Sequence, residues 1–132
     1  MRLLLDTSAL LATTRRADRN HAAATRFARQ SPGAQYVVSD LIVSEVATRL
    51  RANEGAARAV ATARDLLAGR AAEVVFVDRE ILSSALSEME RFADKRLSLT
   101  DCVSFVLMGA LRLDGAFTFD DDFRRCGFAA FP

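Results

Sequence analysis

Residues 3–12 read LLLDTSALLA: three leucines, an aspartate, two hydroxyl residues, then helix formers from Ala9. A short apolar run with no polar alternation is how a strand buried on both faces of a parallel sheet reads. The run stops abruptly at Asp6. Strand, acid and helix in succession open an α/β unit, where ligands collect outside the carboxyl ends of the strands.

The same pattern repeats downstream. Residues 18–30 place Ala22, Ala23, Phe27 and Ala28 at helical spacing, and Ser31-Pro32-Gly33 stops that helix. Tyr36-Val37-Val38 reads as a second strand, after which Ser39 or Asp40 caps a helix carrying Leu41, Ile42, Val46 and Leu50. An Ala-rich helix follows over 55–68, and residues 74–77 form a third strand. Asp78 caps a helix over 79–93, and Ser98 or Thr100 opens one over 100–112. That last helix is apolar nearly all round and belongs in the core. Residues 116–119 give a fourth strand running into Asp120-Asp121-Asp122, and residues 128–131 a short last one. The alternation predicts a three-layer α/β/α sandwich with a central, mainly parallel sheet of four to five strands.

The 132 residues fit one domain spanning 1–132. With 51% hydrophobic and 27% charged residues, wholesale disorder is excluded. Eighteen basic against 17 acidic residues give a net charge of +1, which excludes gripping nucleic acid by bulk charge alone. A small basic rim around an acidic site remains open. Two isolated cysteines, Cys102 and Cys126, without CxxC spacing argue against a zinc site or disulfide scaffold, and point to a reducing, cytoplasmic setting. Asp6 cuts the N-terminal apolar stretch too short for a signal peptide, and no run approaches the ~20 apolar residues that span a bilayer. No membrane association is expected.

Four carboxylates stand in odd places. Asp6 and Asp120 each end an apolar strand; Asp101 is the only charge between Leu97 and Leu111; Glu45 lies between Val43 and Val46 on the apolar side of its helix. Singly, each has an ordinary explanation. Asp6 or Asp120 can cap a helix, Asp101 can answer a helix dipole, and Glu45 can pair with Arg49 four residues on. Jointly those explanations need four accidents, whereas one metal site accounts for all four. Carboxylates without His or Cys make a hard, oxygen-only site suited to Mg²⁺ or Mn²⁺. Such a site can bind a phosphoryl oxygen and activate a water. Thr7, Ser8, Ser104 and Thr118 lie close enough in sequence to orient the acids.

The stretches LLLDTSALLA (3–12), LIVSEVATRL (41–50), RLSLTDCVSFVLM (96–108) and AFTFDDDF (116–123), in this order and spacing, resemble the PIN-domain family, and most nearly the VapC-type toxins of bacterial toxin–antitoxin pairs. The resemblance matches Asp6, Glu45, Asp101 and Asp120 to the family's acidic quartet, Asp122 to a further acidic position near the metal, and Thr118 to a frequent hydroxyl. It implies a Mg²⁺- or Mn²⁺-dependent endoribonuclease acting on structured RNA, often tRNA or ribosomal RNA. It also implies a homodimer and a cognate antitoxin that blocks the site. Strand alternation ranks Asp120 before Asp122 as the last ligand and turns Asp121 to solvent.

Two other readings stand beside this one. A strand-end Asp6 could be the nucleophile of a phosphoryl-transfer enzyme, though Ser8 occupies the +2 position and Lys95 is the sole lysine. Alternatively, the acids could hold a structural cation or a basic peptide without catalysis. Arg15, Arg16, Arg19, Arg26 and Arg29 read either as an RNA-phosphate rim or as a solvated helix face. Leu10, Leu11, Leu41, Ile42 and Leu50 read either as core or as a partner groove. His21 reads as a cap rather than a base, and Cys102 as core packing.

Overall fold

The computed structural model describes residues 1–132. Its five strands are β1 (Arg2–Leu5), β2 (Gln35–Ser39), β3 (Glu73–Val75), β4 (Gly115–Phe117) and β5 (Ala130–Phe131). They form one wholly parallel sheet in the order β3-β2-β1-β4-β5. Seven helices flank it: α1 (Thr7–Thr14), α2 (His21–Gln30), α3 (Asp40–Glu54), α4 (Ala56–Leu67), α5 (Arg79–Arg91), α6 (Leu99–Ala110) and the short α7 (Asp122–Arg125). The α/β/α sandwich anticipated from the sequence is the fold found.

Leu3 and Leu4 on the central strand are fully buried, as their unalternating run requires. Leu10, Leu11, Ile42 and Leu50 join them in the main core, and Leu41 packs against a smaller cluster built on Ala85, Cys102, Val103 and Leu107. These leucines and Ile42 are therefore ordinary core. The α6 helix buries Cys102, Val103, Ser104, Phe105, Leu107 and Met108, which is why so apolar a helix is tolerated. Gly115 is needed where β4 meets the last strand: a Cβ there would stand 2.8 Å from the Ala129 carbonyl oxygen and 2.9 Å from the Phe131 ring.

Strand ends fall short of the sequence pattern. β3 stops at Val75; Phe76 is exposed, and the Val77 amide donates to Asp40 Oδ1 (3.0 Å) at the start of α3. β4 stops at Phe117, and the acidic triplet turns into α7. Strand alternation therefore does not reach Asp122.

The strand order positions the site. From β1 the chain runs outward to β2 and β3; it then crosses back to β4, beside β1, and goes the other way to β5. The carboxyl ends of β1 and β4 flank the point where the connections diverge, the place where open α/β sheets hold ligands. Asp6 follows β1, and Thr118 and Asp120 follow β4.

Candidate functional site

The two strand ends are tied together by hydroxyls. Asp6 caps α1, and its Oδ2 accepts from the Ser8 amide (3.2 Å), Ser8 Oγ (2.6 Å) and Thr118 Oγ1 (2.8 Å). Ser8 Oγ accepts from the Phe119 amide (2.9 Å), and Thr118 Oγ1 from the Asp120 amide (3.0 Å). Asp120 Oδ1 then accepts from the Asp122 amide (2.9 Å). Each link fixes a rotamer, so the loop after β4 is locked to the first turn of α1.

The other two acids arrive on helices. Glu45 sits in the second turn of α3, where its Oε2 accepts from Thr7 Oγ1 (2.8 Å). No ion pair joins it to Arg49. Asp101 completes a capping box on α6: its Oδ2 accepts from the Ser98 amide (3.0 Å), and Ser98 Oγ accepts from the Asp101 amide (3.0 Å). Capping and site membership are compatible, because a cap occupies one carboxylate oxygen and leaves the second.

All four acids share that arrangement, with one oxygen held by hydrogen bonds and the other unclaimed. They line a single cavity of about 430 Å³ together with Thr7, Ser8, Ser44, Thr48, Ser98 and Arg49; no hydrophobic side chain reaches it. None of the four is in an ion pair. Asp6 is only 6% exposed. A buried carboxylate without a cation is costly, and burial raises the Asp6 pKa against the hydrogen bonds from Ser8 and Thr118. Burial likewise lifts the Asp101 carboxyl to about 6, with the charges of Asp6 and Asp120 adding to the rise and the Ser98 bonds opposing it.

This donor set suits a hard divalent cation: oxygen only, strongly negative, with oriented carboxylates. No three of the acids stand close enough to form a ready-made cage. A cation would have to draw their unclaimed oxygens together.

Some residues singled out in the sequence lie elsewhere. Asp122 does not line the cavity; its Oδ1 pairs with Arg125 at 3.2 Å. Ser104 is buried with no hydrogen-bond partner and also lies outside the lining. His21 Nδ1 meets the Ala12 carbonyl at 2.7 Å, joining α2 to α1. Arg15 pairs with Glu54, while Arg16, Arg19, Arg26 and Arg29 make no ion pair, and none of the five borders the cavity. Lys95 pairs with Asp94 and lies over the Phe92 ring, so no lysine serves Asp6 as phosphoryl transfer would require. Ser44 and Thr48 were missed, and Arg49 was weighed only as an ion-pair partner for Glu45. With Glu45 they fall at positions i, i+1, i+4 and i+5, one face of α3, and that spacing around an out-of-place acid was the available signal.

The carboxyl shifts set a pH dependence. A carboxyl whose pKa rises on folding stabilises the fold while protonated, and that contribution is lost as pH climbs through its folded value. The metal-free protein is therefore expected to melt at a higher temperature at pH 5 than at pH 7. Asp101→Asn, which keeps the cap acceptor, should flatten the change around pH 6. Melting curves in EDTA across this range check it; an identical slope in the variant refutes it.

The PIN domain family model matches residues 3–129. No curated protein matches the sequence significantly. Among solved structures, VapC20 of Mycobacterium tuberculosis, described as a sarcin-ricin loop cleaving toxin, superposes with a TM-score of 0.88 at 26% identity over 96% of each chain. A toxin–antitoxin complex from Klebsiella pneumoniae gives 0.63 at 16% identity, covering 92% of this chain and 88% of that one. VapBC2 from Rickettsia felis, bound to a fragment of its promoter DNA, gives 0.68 at 10% identity over the full length of both.

Proposed function

This chain belongs to the PIN-domain family, and from that premise we propose that it is the ribonuclease toxin of a toxin–antitoxin pair, hydrolysing phosphodiester bonds in RNA with Mg²⁺ or Mn²⁺. The observation that carries the reading is the cavity at the ends of β1 and β4, which four carboxylates line, none of them in an ion pair. Asp6, Glu45, Asp101 and Asp120 would hold the ion. The chemistry it supplies when bound is charge stabilisation at the phosphoryl oxygen and acidification of a water.

The chain's own contribution is preorganisation. Ser8 and Thr118 hold Asp6, Thr7 holds Glu45, Ser98 holds Asp101, and the Asp122 amide holds Asp120. The side chains are thus held in fixed rotamers before substrate arrives, and closing around an ion is the rearrangement left to them. The N-termini of α1 and α6, marked by Asp6 and Asp101, add partial positive charge at the cavity. Asp122 serves by its backbone rather than as a ligand.

The VapC20 likeness suggests ribosomal RNA, with tRNA the other candidate. An antitoxin partner is part of the proposal, supported by the likeness to toxin–antitoxin complexes. A homodimer or that partner would cover exposed apolar side chains such as Val60 and Leu67 on α4, Phe76, and Leu86 on α5. No helix is long and apolar enough to cross a membrane.

The test is incubation of the purified protein with total bacterial RNA and with a sarcin–ricin loop hairpin, with Mn²⁺ or EDTA, followed by mapping of RNA ends. Discrete new ends that need the ion are expected. RNA left intact in every condition refutes the proposal.

A further inference from the structure

Arg49 is the one cation lining a cavity that otherwise holds four acids and five hydroxyl side chains. It lies one turn after Glu45 on α3, so the two Cβ atoms are neighbours, ~5–6 Å apart on a regular helix. A guanidinium beside so many carboxylates would ordinarily collapse onto one of them. Arg49 does not: it makes no ion pair and no side-chain hydrogen bond, and it is exposed. Each acid has hydroxyl or amide donors on one oxygen and Arg49 takes none of the others, so the five N–H groups of the guanidinium are free for something that enters from solvent.

We propose that Arg49 is a substrate-positioning residue whose guanidinium grips a backbone phosphate next to the bond that is cut. The inference rests on the ribonuclease reading and names the group that holds the strand in register. An anion approaching this cavity meets net negative charge, and Arg49 is where attraction is available. Its planar fork matches two phosphate oxygens at once, which a lysine ammonium does not. Ser44 and Thr48, exposed on the same helix face, extend the polar track along the cavity wall.

The experiment compares Arg49→Ala and Arg49→Lys with wild type. Cleavage of ribosomal RNA and of the sarcin–ricin loop hairpin is followed in Mn²⁺, and hairpin binding is titrated against salt in an Asp6→Asn background. Arg49→Ala should raise KM about tenfold with a much smaller change in kcat, and flatten the slope of log affinity against log salt by ~0.7, one single-strand phosphate contact. Arg49→Lys should recover part of the affinity. Melting temperatures should not move, because the side chain supports nothing in the fold. Unchanged KM, binding and salt slope in Arg49→Ala overturn the proposal, as does a fall in kcat alone. Wild type that neither binds nor cuts RNA removes the ribonuclease reading itself, an outcome visible before any Arg49 variant is made.

Discussion

Asp6→Asn is expected to cut RNA about 10³-fold more slowly than wild type, the loss of ~4 kcal/mol of transition-state stabilisation on the scale typical of a metal site, while folding at least as well. The two halves of that expectation separate the roles of the side chain. Asparagine caps helices as well as aspartate does, and its carbonyl oxygen can still accept from Ser8 and Thr118. If capping α1 were all that Asp6 did, activity would survive. The charge itself is a burden on the fold, since the carboxyl is 6% exposed, unpaired, and shifted upward by burial. Removing it should leave the melting temperature in EDTA unchanged or higher, and should shrink the gain that Mn²⁺ gives wild type. Cleavage at the wild-type rate by a folded Asp6→Asn protein would end the assignment.

Thr118→Val should lower cleavage by about 10–100-fold, the usual cost of losing a group that orients a metal ligand. The substitution keeps shape and removes one oxygen. That oxygen donates to Asp6, accepts from the Asp120 amide, and lies 3.2 Å from Ser8 Oγ, in a side chain that is 1% exposed. Stability should also fall by ~1–3 kcal/mol, because the Asp120 amide loses its acceptor in a partly buried place. Thr118→Ser retains the hydroxyl and should restore most of the activity. Equal losses in Val and Ser variants would show that packing, not the hydrogen bond, is what matters there.

The sheet was legible because burial on both faces leaves a plain mark: Leu3-Leu4-Leu5, Tyr36-Val37-Val38 and Ala116-Phe117 are runs without alternation. The four acids were legible as charges where apolar residues belong. Thr7, Ser8 and Thr118 were legible as hydroxyls near the acids, but which acid each one holds was not. Thr7 meets Glu45 across 38 residues and Thr118 meets Asp6 across 112; no local period encodes such partners. Ser44, Thr48 and Arg49 look from sequence like any solvated helix face, since periodicity reveals which side of a helix is greasy but not what stands opposite the other side. Asp122 stands outside the cavity for a local reason: past Phe117 the chain has left the strand and begun a helical turn, so alternation no longer says where its side chain lies.

The bond from Thr118 to Asp6 also fixes when the acidic cavity can be complete during synthesis. Asp6 is translated first, yet the one distant partner of its side chain emerges from the ribosome 112 residues later. The central strand likewise waits for β4 before its second edge is filled. A nascent chain, or one released early by a stalled ribosome, thus carries three of the four acids without the Thr118 hydroxyl that joins Asp6 to the loop after β4. The four acids can line one cavity only once the last quarter of the described chain has folded home.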